Sequence, residues 1–418
     1  MQPPKDYANL FLDMNAFFAS VEQQVQPSLR NKPICVAPYP GNTGCCIAKS
    51  YKAKAFGVKT GTLVGEAKKL CPQIIVLESR PELYLFYHRE IVKVLKNFSP
   101  FLRVLSIDEF NIKLTGLDQN REKALEMARK IKETILKKVG DYLTCSIGIG
   151  PNMWLAKVAG ELGKACLPAG RPDGLVVVAL EELGVWYRSL DLMDLPGINV
   201  AMARQLHHRK IKTPFDFYLQ PLFNLSRWFG HPGRVWFYRL RGFETDEIEP
   251  ATKSIGHQHV LAPEYRTIAA ARRVLVKLAE KCAQRLRAKN LWTGGVSLGI
   301  KFLNGPFWEK NAATDLVADS QNIQRIALSL YDACPIQKPP LRIAVTLFNL
   351  TQVRGEQISL FSKIEKSRRL SQMMDEINDK YGPETIYPAS MFGASEAAPT
   401  RIPFGNPARI GNFDQNVV

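Results

Sequence analysis

The sequence predicts an α+β protein of several domains, on three observations. The first 175 or so residues alternate short apolar strands with amphipathic helices. Residues 181–245 carry helical spacing alone, punctuated by Pro196-Gly197, Pro214, Pro221 and Pro232-Gly233. Residues 254–352 run strand, helix, strand, strand, helix, strand. At 418 residues, 46% of them hydrophobic, the chain exceeds one ordinary core, and two to four domains are expected.

Taken in order, residues 7–13 read as a buried strand that ends in a carboxylate, and 15–25 as a helix. A strand at 33–37 precedes a Gly/Pro-rich loop from Pro38 to Gly44, and 48–56 form a short basic helix stopped by Gly57. A helix at 82–98 leads to one strand over 102–114, a long helix near 119–139, a strand from Leu143 to Gly150 and a helix from Met153 to Leu162. Residues 246–253 are a linker. The last module has strands at 254–261, 293–303, 307–317 and 341–350, with helices at 266–289 and 320–333. A helix near 364–380 follows, then a Pro/Gly/Ala-rich tail expected to be poorly ordered.

Composition narrows the function. Lys and Arg number 56 against 39 Asp and Glu, a formal charge of +17, and such a surface favours a polyanion such as nucleic acid. The eight cysteines form no C-x-x-C pair, which argues against zinc ribbons and thioredoxin chemistry; most sit in apolar runs and read as core, in keeping with a reducing cytosol. The N-terminus lacks the apolar core of a signal peptide, and no stretch reaches the length of a membrane span.

Carboxylates in apolar strands carry the chemistry. Asp13 closes the first strand, and Asp108-Glu109 interrupts another. Buried strands rarely hold acids unless the acids are paired or bind a cation, and adjacent carboxylates repel. Two magnesium ions held by such acids support in-line phosphoryl displacement. A lone Asp at a strand end is ordinarily a helix N-cap and an Asp-Glu pair a surface turn, so spacing alone leaves those readings open.

Phe11-Leu-Asp-Met-Asn-Ala-Phe-Phe-Ala-Ser20 resembles the first catalytic motif of the Y-family, or translesion, DNA polymerases, and Ser106-Ile-Asp-Glu109 matches the second. The resemblance covers most of residues 8–361 and is of bacterial type. Asn15-Ala16 leans to the polymerase V branch and Ser254–His257 to the polymerase IV branch, so the branch stays open. It implies a right-hand-like fold: a mixed palm (1–24 and 83–174), small fingers (25–82), a helix-hairpin-helix thumb (175–245), a βαββαβ little finger (253–352) and a C-terminal tail (353–418). It also implies low-fidelity synthesis past damaged template, in DNA repair and SOS mutagenesis. Primer-template DNA and an incoming dNTP are the expected partners, in the cytoplasm on the nucleoid. No proofreading module is recognisable.

By the same resemblance, Asp13, Asp108, Glu109 and the Met14 carbonyl hold two Mg2+ ions, for which Mn2+ can substitute. Phe17 and Phe18 lie at the nucleotide; Phe18 takes the place of the steric gate that excludes a 2′-hydroxyl, and Phe17 is expected in the core. Ser50-Tyr-Lys-Ala-Lys-Ala-Phe-Gly57 resembles the fingers motif that grips the triphosphate through Tyr51 and Lys54. Leu155–Lys164 resembles the palm helix that ends in a phosphate-binding lysine, Lys164, with Arg171 as a rival. Pro196-Gly197-Ile198 resembles a DNA-binding hairpin, with Asn199 near a second expected glycine. Lys253, Ser254 and His257 open the little finger, whose helix carries Arg272, Arg273, Lys277, Lys281, Arg285, Arg287 and Lys289. Gln357-Ile-Ser-Leu360-Phe361 resembles a sliding-clamp peptide, with Gln357, Leu360 and Phe361 as its anchors. An accessory subunit is a further candidate partner. Phe110 and Lys113 depart from the family pattern, where a small residue and an acid are usual. They leave room for a rival reading, a weak or inactive scaffold that binds DNA and the clamp.

Overall fold

The computed structural model describes residues 4–39, 41–165, 174–245, 252–352, 363–394 and 396–398. Two compact units divide the chain, one within 1–249 and the other from 250 to 401.

The first unit is built on a five-stranded sheet. Its strands stand in the order Leu102–Val104, Glu109–Lys113, Asn9–Met14, Cys145–Gly150, Leu175–Val177. The central strand, Asn9–Met14, is buried throughout and antiparallel to both neighbours. Alternation turns Leu10, Leu12 and Met14 toward a core shared with helices Pro81–Lys96 and Arg121–Lys138. Asn9, Phe11 and Asp13 therefore share the opposite face, with Gly148 and Gly150 beside them on the next strand. Helix Met153–Ala165 packs there. A β-carbon on Gly148 would lie 2.0 Å from the Ala156 carbonyl, so only glycine lets this helix so close.

Asp108 and Glu109 do not interrupt one continuous strand, as the alternation suggests. The chain forms a hairpin between Leu102–Val104 and Glu109–Lys113, with the turn at 105–108. Leu105 N and Ser106 N both donate to the Glu109 carbonyl, which closes the turn beside the acids. The basic helix is likewise shorter than expected. Ala48–Lys49 is a strand, Ser50 caps, and the helix is Tyr51–Ala55. It belongs to a small subunit of structure with its own three-stranded sheet, a helix Val64–Leu70 and a core rich in cysteine, including Cys35, Cys46 and Cys71. Residues 181–245 are helical as expected, around Leu195, Ile198, Phe217 and Trp236.

The second unit has the expected strand order in sequence. Its antiparallel sheet runs Phe307–Val317, Trp292–Phe302, Pro340–Thr351, Ser254–Val260, with helices Ile268–Ala288 and Ser320–Asp332 packed against it. The expected C-terminal helix is present as Lys363–Tyr381 and packs on Ser320–Asp332, and one expectation is corrected in part: of the tail after it, Ala394, Ala397 and Ala398 join the hydrophobic core. This layer also covers basic residues of the Ile268–Ala288 helix. Lys277, 1% exposed, pairs with Glu384; Arg287 pairs with Asp375 and Glu280; and Lys281 donates to the Ala398 carbonyl. Those three cations are engaged within the unit, so the helix is not a free basic face.

Candidate active site

Asp13 and Glu109 are register partners on neighbouring strands, so they emerge side by side on the face covered by Met153–Ala165. Met14 N donates to the Asp108 carbonyl at 2.9 Å, which ties the two acid-bearing segments together through the backbone. Ser106 Oγ donates to Asp108 Oδ1 at 2.6 Å and accepts from Glu109 N at 3.0 Å. One serine thus orients both acids of the turn.

The path out of the first strand is just as constrained. Ala16 has φ 49°, a left-handed conformation uncommon for a residue with a β-carbon, and it sets the start of helix Phe17–Val25. Buried Asn15 holds the turn: its Nδ2 donates to Thr144 Oγ1 at 3.1 Å, and its Oδ1 accepts from Ser146 Oγ at 2.9 Å.

A cavity of about 400 Å³ opens beside these groups. Asp13, Asp108, Glu109 and Glu161 line its acidic side, Lys49, Lys54 and Lys164 its basic side, and Tyr51, Phe17 and Phe18 complete the wall. Phe17 is not confined to the core, as expected of it; both phenyl rings are buried and both border the cavity. Ser50 caps the Tyr51–Ala55 helix by accepting from Ala53 N, which presents Tyr51 and Lys54 on the cavity side.

Two lysines of one helix meet two of the acids. Lys164 Nζ lies 2.5 Å from Asp13 and 3.0 Å from Glu161. Lys157, two turns earlier, spans both oxygens of Glu109 at 2.8 and 2.9 Å. Burial pushes the Asp13 carboxyl up to about 7; Lys164 opposes this and Asp108 adds to it. Burial also raises Asp108, with Ser106 opposing and Glu109 adding. For Lys164, burial works against the charged form, but Asp13 and Glu161 outweigh it and hold the ammonium protonated.

The donor set is oxygen only, the chemistry of a hard divalent ion. Burial and the neighbouring acids raise the Asp13 and Asp108 carboxyls despite Lys164, and a divalent ion beside them would favour their ionised forms. As placed, Asp13 and Glu109 face their lysines, and no three acids among the described residues converge on one point. The residues fit such ions in kind, once the carboxylates turn from lysine to metal.

Lys49, Lys157 and Glu161 were not singled out from the sequence. Lys157, Glu161 and Lys164 are spaced at i, i+4 and i+7, one face of a helix, and that spacing was the available signal. Lys113 lies exposed at the far end of its strand, paired with Asn9 in register, and Phe110 is core, stacked on His88. Neither departure enters the cavity.

Other candidates lie elsewhere. Pro196-Gly197-Ile198 forms a turn with Gly197 at φ 96°; Ile198 is buried, and Asn199 caps the next helix through Met202 N. In the second unit Lys253 and Ser254 are exposed, whereas Arg285 lies 2.6 Å from His257 Nδ1. Arg171, Gln357, Leu360 and Phe361 fall outside the described residues. Among the described residues no helix is long and apolar enough to cross a membrane.

Acids on a mixed sheet face a basic helix across one cavity, an arrangement suited to a phosphorylated substrate. Residues 12–161 match the impB/mucB/samB family, and residues 252–360 match the C-terminal domain of the same family. DNA polymerase IV of Pelotomaculum thermopropionicum is 34% identical over 385 residues, 90% of this chain and 93% of that one. DNA polymerase IV of Moorella thermoacetica is 31% identical over 400 residues, 93% and 97% of the two chains. Among solved structures, a Y-family DNA polymerase chimera of Dbh and Dpo4 shares the fold with TM-score 0.68 at 24% identity, over 82% of this chain and 99% of that one. The chain belongs to the impB/mucB/samB family, bacterial DNA polymerases of the Y family.

Proposed function

We propose that this polymerase extends a primer across damaged template with low fidelity, using the cavity between Asp13 and Lys54 as its nucleotidyl-transfer site. The observation that carries the reading is the meeting of Asp13, Asp108 and Glu109 with Lys49, Lys54 and Lys164 around one cavity. Asp13, Asp108, Glu109 and the Met14 carbonyl would hold two Mg2+ ions, which supply activation of the primer 3′-hydroxyl and neutralisation of the leaving pyrophosphate. Lys54 and Lys164 meet the triphosphate charge, and Lys49 adds a third cation on the same wall. Burial lowers the Lys49 pKa and Lys54 lowers it further, so an anion between them is favoured. The Tyr51 hydroxyl is a further phosphate donor. Phe18 bounds the sugar.

The palm, fingers, thumb and little-finger division keeps its expected boundaries in this reading. The Pro196-Gly197-Ile198 turn, Lys253, Ser254 and His257 meet primer-template backbone, and Gln357–Phe361 tethers the enzyme to the sliding clamp, with an accessory subunit as a further partner. The cytoplasm, on the nucleoid, is the proposed location. The scaffold alternative is disfavoured by the acids themselves: a scaffold has no use for three carboxylates gathered beside one cavity, with Asp13 buried at a cost in solvation.

Primer extension with Mg2+ decides between them. Wild type is expected to extend an undamaged and a lesion-bearing template with frequent misincorporation, and Asp108→Ala to bind DNA but not extend it. Equal extension by both proteins would remove Asp108 from the site.

A further inference from the structure

The Phe18 ring borders the cavity and is also stacked on Tyr84, which is not among the cavity's lining residues, with ring centroids 4.3 Å apart and planes 13° from parallel. Tyr84 comes from a different helix, Pro81–Lys96, is 1% exposed, and does not itself reach the cavity. Its hydroxyl donates to Glu22 Oε1 at 2.7 Å. Glu22 is buried, and Arg80 fixes it in turn: Arg80 Nε donates to the same oxygen at 3.1 Å, and Nη2 meets Oε2.

The spacing makes this a two-helix clasp. Phe18 and Glu22 stand four residues apart on one helix, and Arg80 and Tyr84 four apart at the start of the other. Stacking joins the first pair of rings, and a charge-assisted hydrogen bond joins the hydroxyl to the carboxylate. Phe17 also meets Phe18, at 5.8 Å and 47°, a looser contact than the stacked one.

We propose that Tyr84 is a positioning residue for sugar selection, backing Phe18 so that the gate ring cannot recede from a ribonucleotide 2′-hydroxyl. A ring excludes an extra oxygen only if it cannot yield, and interiors yield where there is a void behind them. Without the Tyr84 ring, Phe18 gains room on the side away from the sugar. Ribonucleotides then enter, while deoxynucleotides, which never press on the ring, are affected less. The inference rests on Phe18 as the steric gate, and the test separates the two.

Insertion of a matched dNTP and of the corresponding rNTP is measured for the full-length wild type, Phe18→Ala, Tyr84→Leu, Tyr84→Met and Tyr84→Phe. The readout is the rNTP/dNTP ratio of kcat/KM, which is internal to each preparation and insensitive to its folded fraction. Phe18→Ala is expected to raise the ratio; if it does not, the gate assignment itself is wrong. Tyr84→Leu is expected to raise it on the order of tenfold with dNTP insertion largely kept, and Tyr84→Phe, which retains the ring, to stay near wild type. A wild-type ratio in Tyr84→Leu alongside a relaxed Phe18→Ala overturns the proposal, as does a Tyr84→Phe ratio as relaxed as that of Tyr84→Leu. Should Tyr84→Leu yield no active enzyme, Tyr84→Met is judged on the same criterion.

Discussion

Lys157 spans both carboxylate oxygens of Glu109, at 2.8 and 2.9 Å. The ammonium sits where it lowers the negative potential of the acid cluster, and a divalent ion drawn to that cluster must compete with it. Lys157→Gln removes the charge and keeps most of the stem. The partly exposed pair screens the effect, leaving about 1 kcal/mol. The Mg2+ concentration for half-maximal extension should fall roughly fivefold. A rise instead would mean that Lys157 holds Glu109 in its ligating pose.

Asp13 gives the site a pH dependence. Burial first, then Asp108, raises its carboxyl from 3.8 to about 7 despite Lys164. The folded chain therefore holds this proton more tightly than the unfolded chain, and the contribution of Asp13 to metal-free stability declines as pH rises from about 4 to about 7. Divalent ions need the ionised form, so their affinity moves the other way, rising with pH up to about 7 and levelling above it. Thermal melts at pH 6 and pH 8, each with chelator and with Mg2+, check this: the stabilisation by Mg2+ should be larger at pH 8.

The turn after Asp13 depends on Asn15, whose amide bonds Thr144 and Ser146 in a fully enclosed position. Asn15→Ala strands the buried Ser146 hydroxyl and frees a left-handed Ala16 to relax. A loss of about 1–3 kcal/mol is expected in chemical unfolding, with primer extension reduced more than DNA binding. Ala16→Gly, by contrast, removes the cost of a positive φ and should leave stability equal or slightly raised.

The residues that were legible in the sequence share one property: they violate the pattern around them. Asp13, Asp108 and Glu109 are acids set in apolar runs of sequence, and only a special environment accommodates that. Lys157 and Lys49 violate nothing, because a lysine on a helix or strand edge is ordinarily solvated, and only the fold reveals what each one faces. The hairpin at 105–108 escaped notice because Leu105, Ser106 and Ile107 continue the alternation of a strand; Ser106 breaks it by bonding to the acids. The C-terminal helix itself was legible, but its packing onto the core was not, for the opposite reason. Helix Lys363–Tyr381 buries Ser367, Ser371 and Asn378 and exposes Leu370 and Met373, so its pattern points away from the core that it covers.

That polar seam makes the C-terminal layer sensitive to single charges. Lys277 is enclosed at 1% exposure, and Glu384 approaches its ammonium at 2.6 and 2.8 Å from the two carboxylate oxygens. Glu384→Ala leaves an enclosed ammonium without that carboxylate, and breaking a buried pair from one side costs about 3 kcal/mol. Lys277→Met, which removes the charge and fills the same space, should cost much less, and adding Lys277→Met to Glu384→Ala should recover most of the loss. Urea unfolding of the four full-length proteins, followed by a probe in the second unit such as Trp292 or Trp308 fluorescence, reads the comparison. Equal stability of Glu384→Ala and wild type would show that the layer over Ile268–Ala288 does not depend on this ion pair.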